Sequence, residues 1–314
     1  MPTKPIRSVA VVGTGVIGAS WAALFLARGL DVRATDPSPG AEDRLRATIA
    51  QHWPALERLG LSPGARQDRL TFDADLEAAV EGAYFVQENG PERIDIKIDI
   101  FRRLDAVLPP ETILASSSSG LPMSEIQSSC RHPERVVLGH PFNPAHLIPL
   151  VEVVGGASTS DAAVADAVAF YAAIGKRPIR LRKEIKGHVA DRLQAALWRE
   201  AFHLVDQGAA TVADIDAAIA HGPGLRWALL GPFLNLHLSG GEGGIAHVLE
   251  HLGPAIESWW DDLGTPRMTP ELVAKVVQGT EETLGKSGAA ELGSARDKAV
   301  LEFLEIKKNA GLPE

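Results

Sequence analysis

The chain has 314 residues, 45% of them hydrophobic, and a formal net charge of −9. That is enough for two domains with a core each, and the acidic balance excludes a partner held by its phosphate backbone, which asks for a basic stripe. Cys130 is the only cysteine, so no intrachain disulfide can form, as suits a reducing cytoplasm.

Residues 1–7 are short and polar, and a strand pattern follows at once with no leader before it. The longest apolar stretches, such as residues 21–27, fall far short of the ~20 residues of a membrane span. The expectation is a soluble cytoplasmic protein. Ser8–Val12 (SVAVV) is a continuous apolar run that reads as a strand buried on both faces. Residues 19–28 carry a helical pattern that Gly29 stops. Residues 30–35 (LDVRAT) read as a second strand ending at Asp36, and Pro37, Pro39 and Gly40 then break the chain. A long helical stretch follows, with a turn near residues 60–64. Short apolar runs at 84–87, 113–115, 136–139, 147–154 and 177–181 have helical patterns between most of them. This alternation predicts an α/β fold with a doubly wound, mainly parallel Rossmann-type sheet.

The character changes at Lys183-Glu184-Ile185-Lys186-Gly187. Beyond it the periods are helical, with strong amphipathic stretches at 191–207 and Val212–Ala220. Two domains are expected, 1–184 and an all-helical 185–314.

Gly13-Thr14-Gly15-Val16-Ile17-Gly18 follows a strand, opens a helix and is followed by a strand ending in an acid, Asp36. That context makes GxGxxG a dinucleotide fingerprint. Gly13 permits the turn, Gly15 lets a pyrophosphate approach, and Gly18 lets helix and strand pack. Asp36 is placed to accept from the adenosine ribose hydroxyls and to repel a 2′-phosphate, which favours NAD over NADP. Arg33 points the other way, with its direction open.

Gly139-His140-Pro141-Phe142-Asn143-Pro144 follows a strand end, the side of such sheets that faces the cofactor crevice. Glu152 stands in the apolar run LVEVV, where a carboxylate is costly unless paired. Histidine is its natural partner, and a His held by a Glu suits removal of a carbinol proton. A core histidine and a strand-end acid remain the alternative on the residues alone.

The fingerprint, the serine run at 116–119, the GHPFNP segment, Glu152 and KEIKGHVADRL at 183–193 together resemble the 3-hydroxyacyl-CoA dehydrogenase superfamily over nearly the whole chain. The resemblance implies that His140 and Glu152 are the catalytic pair and that Ser119 contacts the substrate oxygen. It also implies that Glu92, Lys97, Ser117 and Asn143 line the cofactor site with Gly13, Gly15, Val16, Ile17, Gly18 and Asp36. One departure is Asp191, which stands where the thioester-oxidising members have an asparagine. An aspartate there repels an acidic oxygen or needs a cationic neighbour, and Arg192 on the same helix does not face it.

Gly222-Pro223-Gly224-Leu225-Arg226-Trp227-Ala228-Leu229-Leu230-Gly231-Pro232 is similar to the segment in two branches acting on small 3-hydroxy acids, L-carnitine and L-gulonate. The carnitine branch is nearer, through LWREAFHLV and GLRWALLGP. The resemblance implies NAD-dependent oxidation of L-carnitine. L-gulonate or a hydroxyacyl-CoA is the alternative substrate, and a crystallin-like structural role the non-enzymatic one. Arg226 is then a carboxylate anchor, and Phe142, Trp198, Trp227 and Phe233, with Asp191 or Glu200, suit a trimethylammonium group. Core or interface packing is the other reading of these aromatics. No metal is expected, since His247 and His251 lack a motif such as HExxH. A homodimer through the helical domain is expected.

Overall fold

A computed structural model describes residues 8–286 and 288–312; the expectation made for residues 1–7 lies outside them. Two compact units divide between Arg192 and Leu193.

In the first unit, chain order runs β1 (Ser8–Val12), α1 (Val16–Ala27), β2 (Asp31–Thr35), α2 (Ala41–Leu59), β3 (Leu70–Phe72), α3 (Leu76–Val80), β4 (Phe85–Glu88) and α4 (Ile94–Val107). It continues through β5 (Ile113–Ser116), α5 (Met123–Ile126), β6 (Val136–Pro141), β7 (Leu150–Gly155), α6 (Asp161–Ala173) and β8 (Arg177–Arg180) to the first turn of α7 (Ala190–Asp206). Among the described residues eight strands form one sheet, ordered β3-β2-β1-β4-β5-β6-β7-β8. Only the β6–β7 pair is antiparallel. Strand order reverses between β1 and β4, which opens a crevice at their C-terminal ends.

Alternation along each strand feeds two cores. Val9 and Val11 of β1 enter one, while Ala10 and Val12 enter the other. The first is filled by α1, α2 and α6, with Trp21, Phe25, Ile49, Leu56, Phe170 and Tyr171. The second holds Leu76, Phe101, Leu104, Met123 and Ile126. Each such side chain stabilises the fold by about 1.5–3 kcal/mol relative to exposure. Helix α1 (VIGASWAALFLA) is apolar on every side because the sheet and α2 bury it from Gly18 to Ala27. It ends at Gly29, whose φ of +76° reverses the chain.

The structure corrects the sequence reading in three places. β3 was not expected; three residues are too few to show a period. β6 runs on through Pro141, so His140 lies inside a strand and not beyond its end. Pro141, a breaker in isolation, closes the strand opposite Val151 of β7. β7 begins at Leu150, and 142–149 form a loop without a helix, which the antiparallel β6–β7 pair permits.

The second unit holds the rest of α7 and α8 (Val212–Ala220), α9 (Pro223–Ser239), α10 (Gly244–Asp262), α11 (Pro270–Leu284) and α12 (Ala289–Asn309). Thr211 and Asp214 form a reciprocal capping box at the start of α8. α9 is kinked at Gly231, whose φ is +73°, just before Pro232. Asn235 spans the kink, donating to the carbonyls of Arg226 and Gly231. α8 packs on α9 and α11, and α9 on α10. Among the described residues no helix is long and apolar enough to cross a membrane.

Candidate active site

β6 and β7 pair so that His140 and Glu152 stand opposite each other. The Nδ1–H of His140 donates to Glu152 Oε2 at 3.2 Å, since a carboxylate only accepts. That leaves Nε2 with its lone pair, and the Ser119 hydroxyl lies 3.2 Å from it. Glu152 is fully buried. Its second oxygen, Oε1, accepts from the amides of Val189 (2.9 Å) and Ala190 (3.0 Å) at the start of α7. Burial alone would raise its pKa; the bonds from His140, Ala190 and Val189 outweigh this and hold the carboxyl below its usual range. Asp191, one residue on, brings Oδ2 to 3.7 Å from His140 Nε2. Arg192 turns elsewhere, its guanidinium 3.5 Å from the Lys186 carbonyl. The cation that Asp191 meets within the protein is the imidazole itself once protonated. Phe142 packs edge-on against His140 at 5.2 Å, and Asn143 is exposed beside it.

The serine run is braced from behind. Glu92 Oε1 accepts from Ser118 Oγ (2.6 Å) and from the amides of Ser119 and Gly120 (3.0 Å each). Lys97 is buried, with Nζ given to Glu88 Oε1 (2.8 Å), Glu88 Oε2 (2.9 Å) and the Gly90 carbonyl (3.2 Å). Its three donors are thus taken, and it supports the wall behind the serines. Ser117 Oγ is likewise engaged, with Gln87, Trp21 and Asn89.

At the sheet's reversal a crevice of about 720 Å³ is lined by Val12, Gly13, Thr35, Pro37, Gly90 and residues of α3 and α4. Gly13 has φ +84°, and a Cβ there would meet Asn89 at 2.8 Å. A Cβ on Gly18 would lie 1.9 Å from the Gly13 carbonyl, so helix and strand touch there. A Cβ on Gly15 meets nothing within 4 Å, and no side chain caps α1. The first-turn amides at Val16 and Ile17 therefore face open space, as an anion cradle requires. Asp36 Oδ2 accepts from Thr14 N (2.8 Å) and Thr14 Oγ1 (3.2 Å), and Oδ1 from Ser38 N (2.9 Å). Burial opposes ionisation, but these bonds prevail and lower its pKa. Arg33 points away, to the carbonyls of Ala78 and Ala79.

Residues 8–185 match the family model for the 3-hydroxyacyl-CoA dehydrogenase NAD binding domain, and residues 187–283 that for the C-terminal domain. The chain belongs to the 3-hydroxyacyl-CoA dehydrogenase family. Relatives in this family include L-carnitine dehydrogenase of Streptomyces griseus subsp. griseus, 55% identical over 96% of this chain and 90% of its own. Another is L-carnitine dehydrogenase of Pseudomonas putida, 50% identical over 97% and 95%. Among solved structures, the NAD+-dependent 5-formyl-3-hydroxy-2-methylpyridine 4-carboxylic acid 5-dehydrogenase matches 98% of this chain and 100% of its own. Its TM-score is 0.84 at 30% identity. 3-Hydroxybutyryl-CoA dehydrogenase of Escherichia coli K12 matches 89% of this chain and 58% of its own, with a TM-score of 0.68 at 27% identity.

As a 3-hydroxyacyl-CoA dehydrogenase family member, the chain is an NAD-dependent oxidoreductase. Its crevice fits that cofactor: open at Gly15, uncapped at α1, acidic at Asp36, and with Arg33 committed elsewhere. Of the residues singled out in the sequence, Ser119, His140, Phe142, Glu152 and Asp191 gather at one place in the first unit. Trp198, Arg226, Trp227 and Phe233 belong to the second unit, where each is exposed. Trp198 borders a groove of about 210 Å³ with Arg199, Phe202, Arg267 and Met268. Glu200 accepts from the Gly264 amide at 2.8 Å. His247, Glu250 and His251, all exposed on α10, bring ligand atoms within 4.8 Å of one another. Sequence reasoning missed Glu88, whose signal is an acid at a strand end with Lys97 nine residues on. It also missed His188, buried 5.3 Å from His140 ring to ring.

Proposed function

We propose that this chain oxidises the 3-hydroxyl of L-carnitine to 3-dehydrocarnitine with NAD. The observation that carries the choice of substrate is the Asp191 carboxylate 3.7 Å from the nitrogen that would take the hydroxyl proton. In carnitine the quaternary nitrogen is two bonds from the carbinol carbon, so whatever stands beside the base stands beside a cation. A thioester would bring a carbonyl oxygen there, which an aspartate repels, and L-gulonate brings no cation. The names of the relatives point the same way.

Glu152, ionised and buried, fixes the Nδ1–H tautomer and leaves Nε2 as the base. Ser119 Oγ and Nε2 share the reacting oxygen. As Nε2 takes the hydroxyl proton, the imidazolium forms between the Glu152 and Asp191 carboxylates, which stabilise it. When bound, NAD+ supplies the acceptor for the hydride leaving the carbinol carbon. The glycine loop and Asp36 hold its phosphates and ribose, with Ser117, Asn143, Glu92 and Lys97 shaping the wall. The aromatic candidates for the trimethylammonium group are Phe142, beside His140 in the first unit, and Trp198, Trp227 and Phe233 of the second, each such contact worth about 0.5–2 kcal/mol; Arg226 is the candidate for the carboxylate. We assign the cofactor and the reacting groups to 1–184, and substrate specificity and dimerisation to 185–314. The working form is a cytoplasmic homodimer.

The test is NADH formation with L-carnitine, L-gulonate and 3-hydroxybutyryl-CoA. Turnover is expected on carnitine; turnover on either other substrate without it overturns the choice. His140→Ala is expected to lower kcat by roughly 10²–10⁴ with NAD binding unchanged. Near-full turnover in that variant overturns the mechanism.

A further inference from the structure

His188 is buried, with its Nε2 3.2 Å from the Ser118 carbonyl. A carbonyl only accepts, so Nε2 carries the hydrogen and donates. The other ring nitrogen, Nδ1, is buried with no partner. A second proton there would leave a buried N–H unsatisfied on a charged ring, which is costly. Burial and the neighbouring His140 push its pKa down accordingly. The imidazole is therefore neutral, with one tautomer and one bond to make, and that bond goes to the peptide between Ser118 and Ser119.

The backbone of His188 matters as much as its ring. Gly187 and His188 have φ of +73° and +46°, both left-handed. Histidine is among the side chains enriched there, though the conformation still costs energy. The two residues turn the chain so that the next two amides, of Val189 and Ala190, meet Glu152 Oε1. The contacts close a ring. Ser119 bonds His140, His140 bonds Glu152, Glu152 is held by Val189 and Ala190, and the adjacent His188 returns to the carbonyl of Ser118.

We propose that His188 is a positioning residue for Ser119: its Nε2–H fixes the Ser118–Ser119 peptide relative to the segment that holds Glu152, and so sets the Ser119 hydroxyl against His140. The proposal rests on Ser119 and His140 acting as stated above. Glu92 grips the same serines from the opposite side, through the Ser118 hydroxyl and the Ser119 and Gly120 amides. The hydroxyl is then clamped between two fixed points, and releasing one lets it swing. A misplacement of about 1 Å at a reacting group can cost on the order of 100-fold in rate.

The experiment is a set of variants assayed with NAD and L-carnitine. His188→Phe keeps the ring and removes the donor; kcat is expected to fall 10- to 100-fold with KM for NAD little changed. His188→Gln places an amide N–H near the Nε2 position and is expected to recover most of the rate. His188→Asn is too short to reach Ser118, yet tolerates the left-handed backbone best. A merely structural role therefore ranks Asn above Gln, whereas positioning ranks Gln above Asn in kcat, and this ranking stands even if the Phe variant fails to fold. In a cycle with Ser119→Ala, the His188 substitution is expected to cost almost nothing further, because it acts through a hydroxyl no longer there. Losses that multiply, equal kcat for Gln and Asn, or unchanged kcat in His188→Phe beside a loss in Ser119→Ala overturn the inference and leave the proposed function standing. No loss in Ser119→Ala overturns this inference together with the role given to Ser119, and leaves the choice of L-carnitine to its own test.

Discussion

The carboxylate of Asp36 accepts three hydrogen bonds from the protein, two from Thr14 and one from Ser38. These bonds keep it ionised, and they lock the glycine loop to the end of β2. A ribose that adds its hydroxyls to this group meets a charge already oriented. Hydrogen bonds to a charged acceptor are worth about 1.5–3 kcal/mol. Asp36→Asn keeps an acceptor for the Thr14 amide and removes the charge. The expected result is a rise of roughly 10- to 100-fold in KM for NAD. A fall of similar size is expected in the NAD:NADP ratio of kcat/KM, measured by steady-state kinetics. An unchanged ratio shows that the discrimination comes from elsewhere in the crevice. This residue was legible in the sequence as a candidate because the role proposed for it follows from a fixed spacing after a strand and a glycine loop. His188 was not, because its role depends on a left-handed turn and on a carbonyl 70 positions earlier in the chain.

The loop from 142 to 149, between β6 and β7, carries Phe142 and Asn143 and is pinned at its far end by two buried bases. Lys176, just before β8, donates Nζ to the carbonyls of Ala145 and Ile148 and lies over the Trp21 ring at 5.0 Å. Burial pushes its pKa down to about 7. His146 stacks on His52 at 3.8 Å and bonds Ser20 on α1. Burial, with the nearby His52 and Lys176, pushes its pKa down to about 3. The unfolded chain binds a proton on this histidine near pH 6.5, and the folded chain does not. The stability that the neutral ring contributes is therefore complete above pH 6.5 and is lost as the pH falls toward 3, at up to about 1.4 kcal/mol per unit. His146→Gln is expected to be less stable than the wild type at pH 7.5 but to lose less on moving to pH 5, in denaturant titrations at both values. Equal losses in the two proteins refute this. The pattern of strands and helices around this loop was readable, because apolar runs and glycine or proline breaks mark it. The antiparallel turn was not, since periodicity says nothing of strand direction, and the eight-residue loop hid the true start of β7 behind apolar residues that belong to the loop.

At the scale of the whole molecule, the two units differ in how they bury their apolar residues. The first has two filled cores on either side of a sheet. Among the described residues of the second, the buried apolar side chains are Val248, Leu272 and Leu301. Phe233 (75% exposed), Leu238, Trp259 and Trp260 (64%) lie open. Monomers rarely leave so much large apolar surface to water, and helices need a second layer to cover it. A mass twice that of the chain is expected by light scattering at micromolar concentration. Charged substitution of both Trp259 and Trp260 is expected to lower it. A wild-type monomer overturns the dimer. Helical periods announced a helical half, and the sequence its tryptophans; which apolar faces stay open is a matter of packing that no periodicity contains.

The two amides that hold Glu152 stand at the N-terminal end of α7, Val189 just before the helix and Ala190 its first residue, and helix ends open more readily than helix middles. On the mechanism proposed above, an opening there would unseat the carboxylate that sets the tautomer of His140, while the cores and the sheet remain intact. On the proposed mechanism, the share of molecules able to turn over would follow this local equilibrium and not global unfolding alone. Such a loss would leave the melting curve where it was and appear as a smaller active fraction of enzyme.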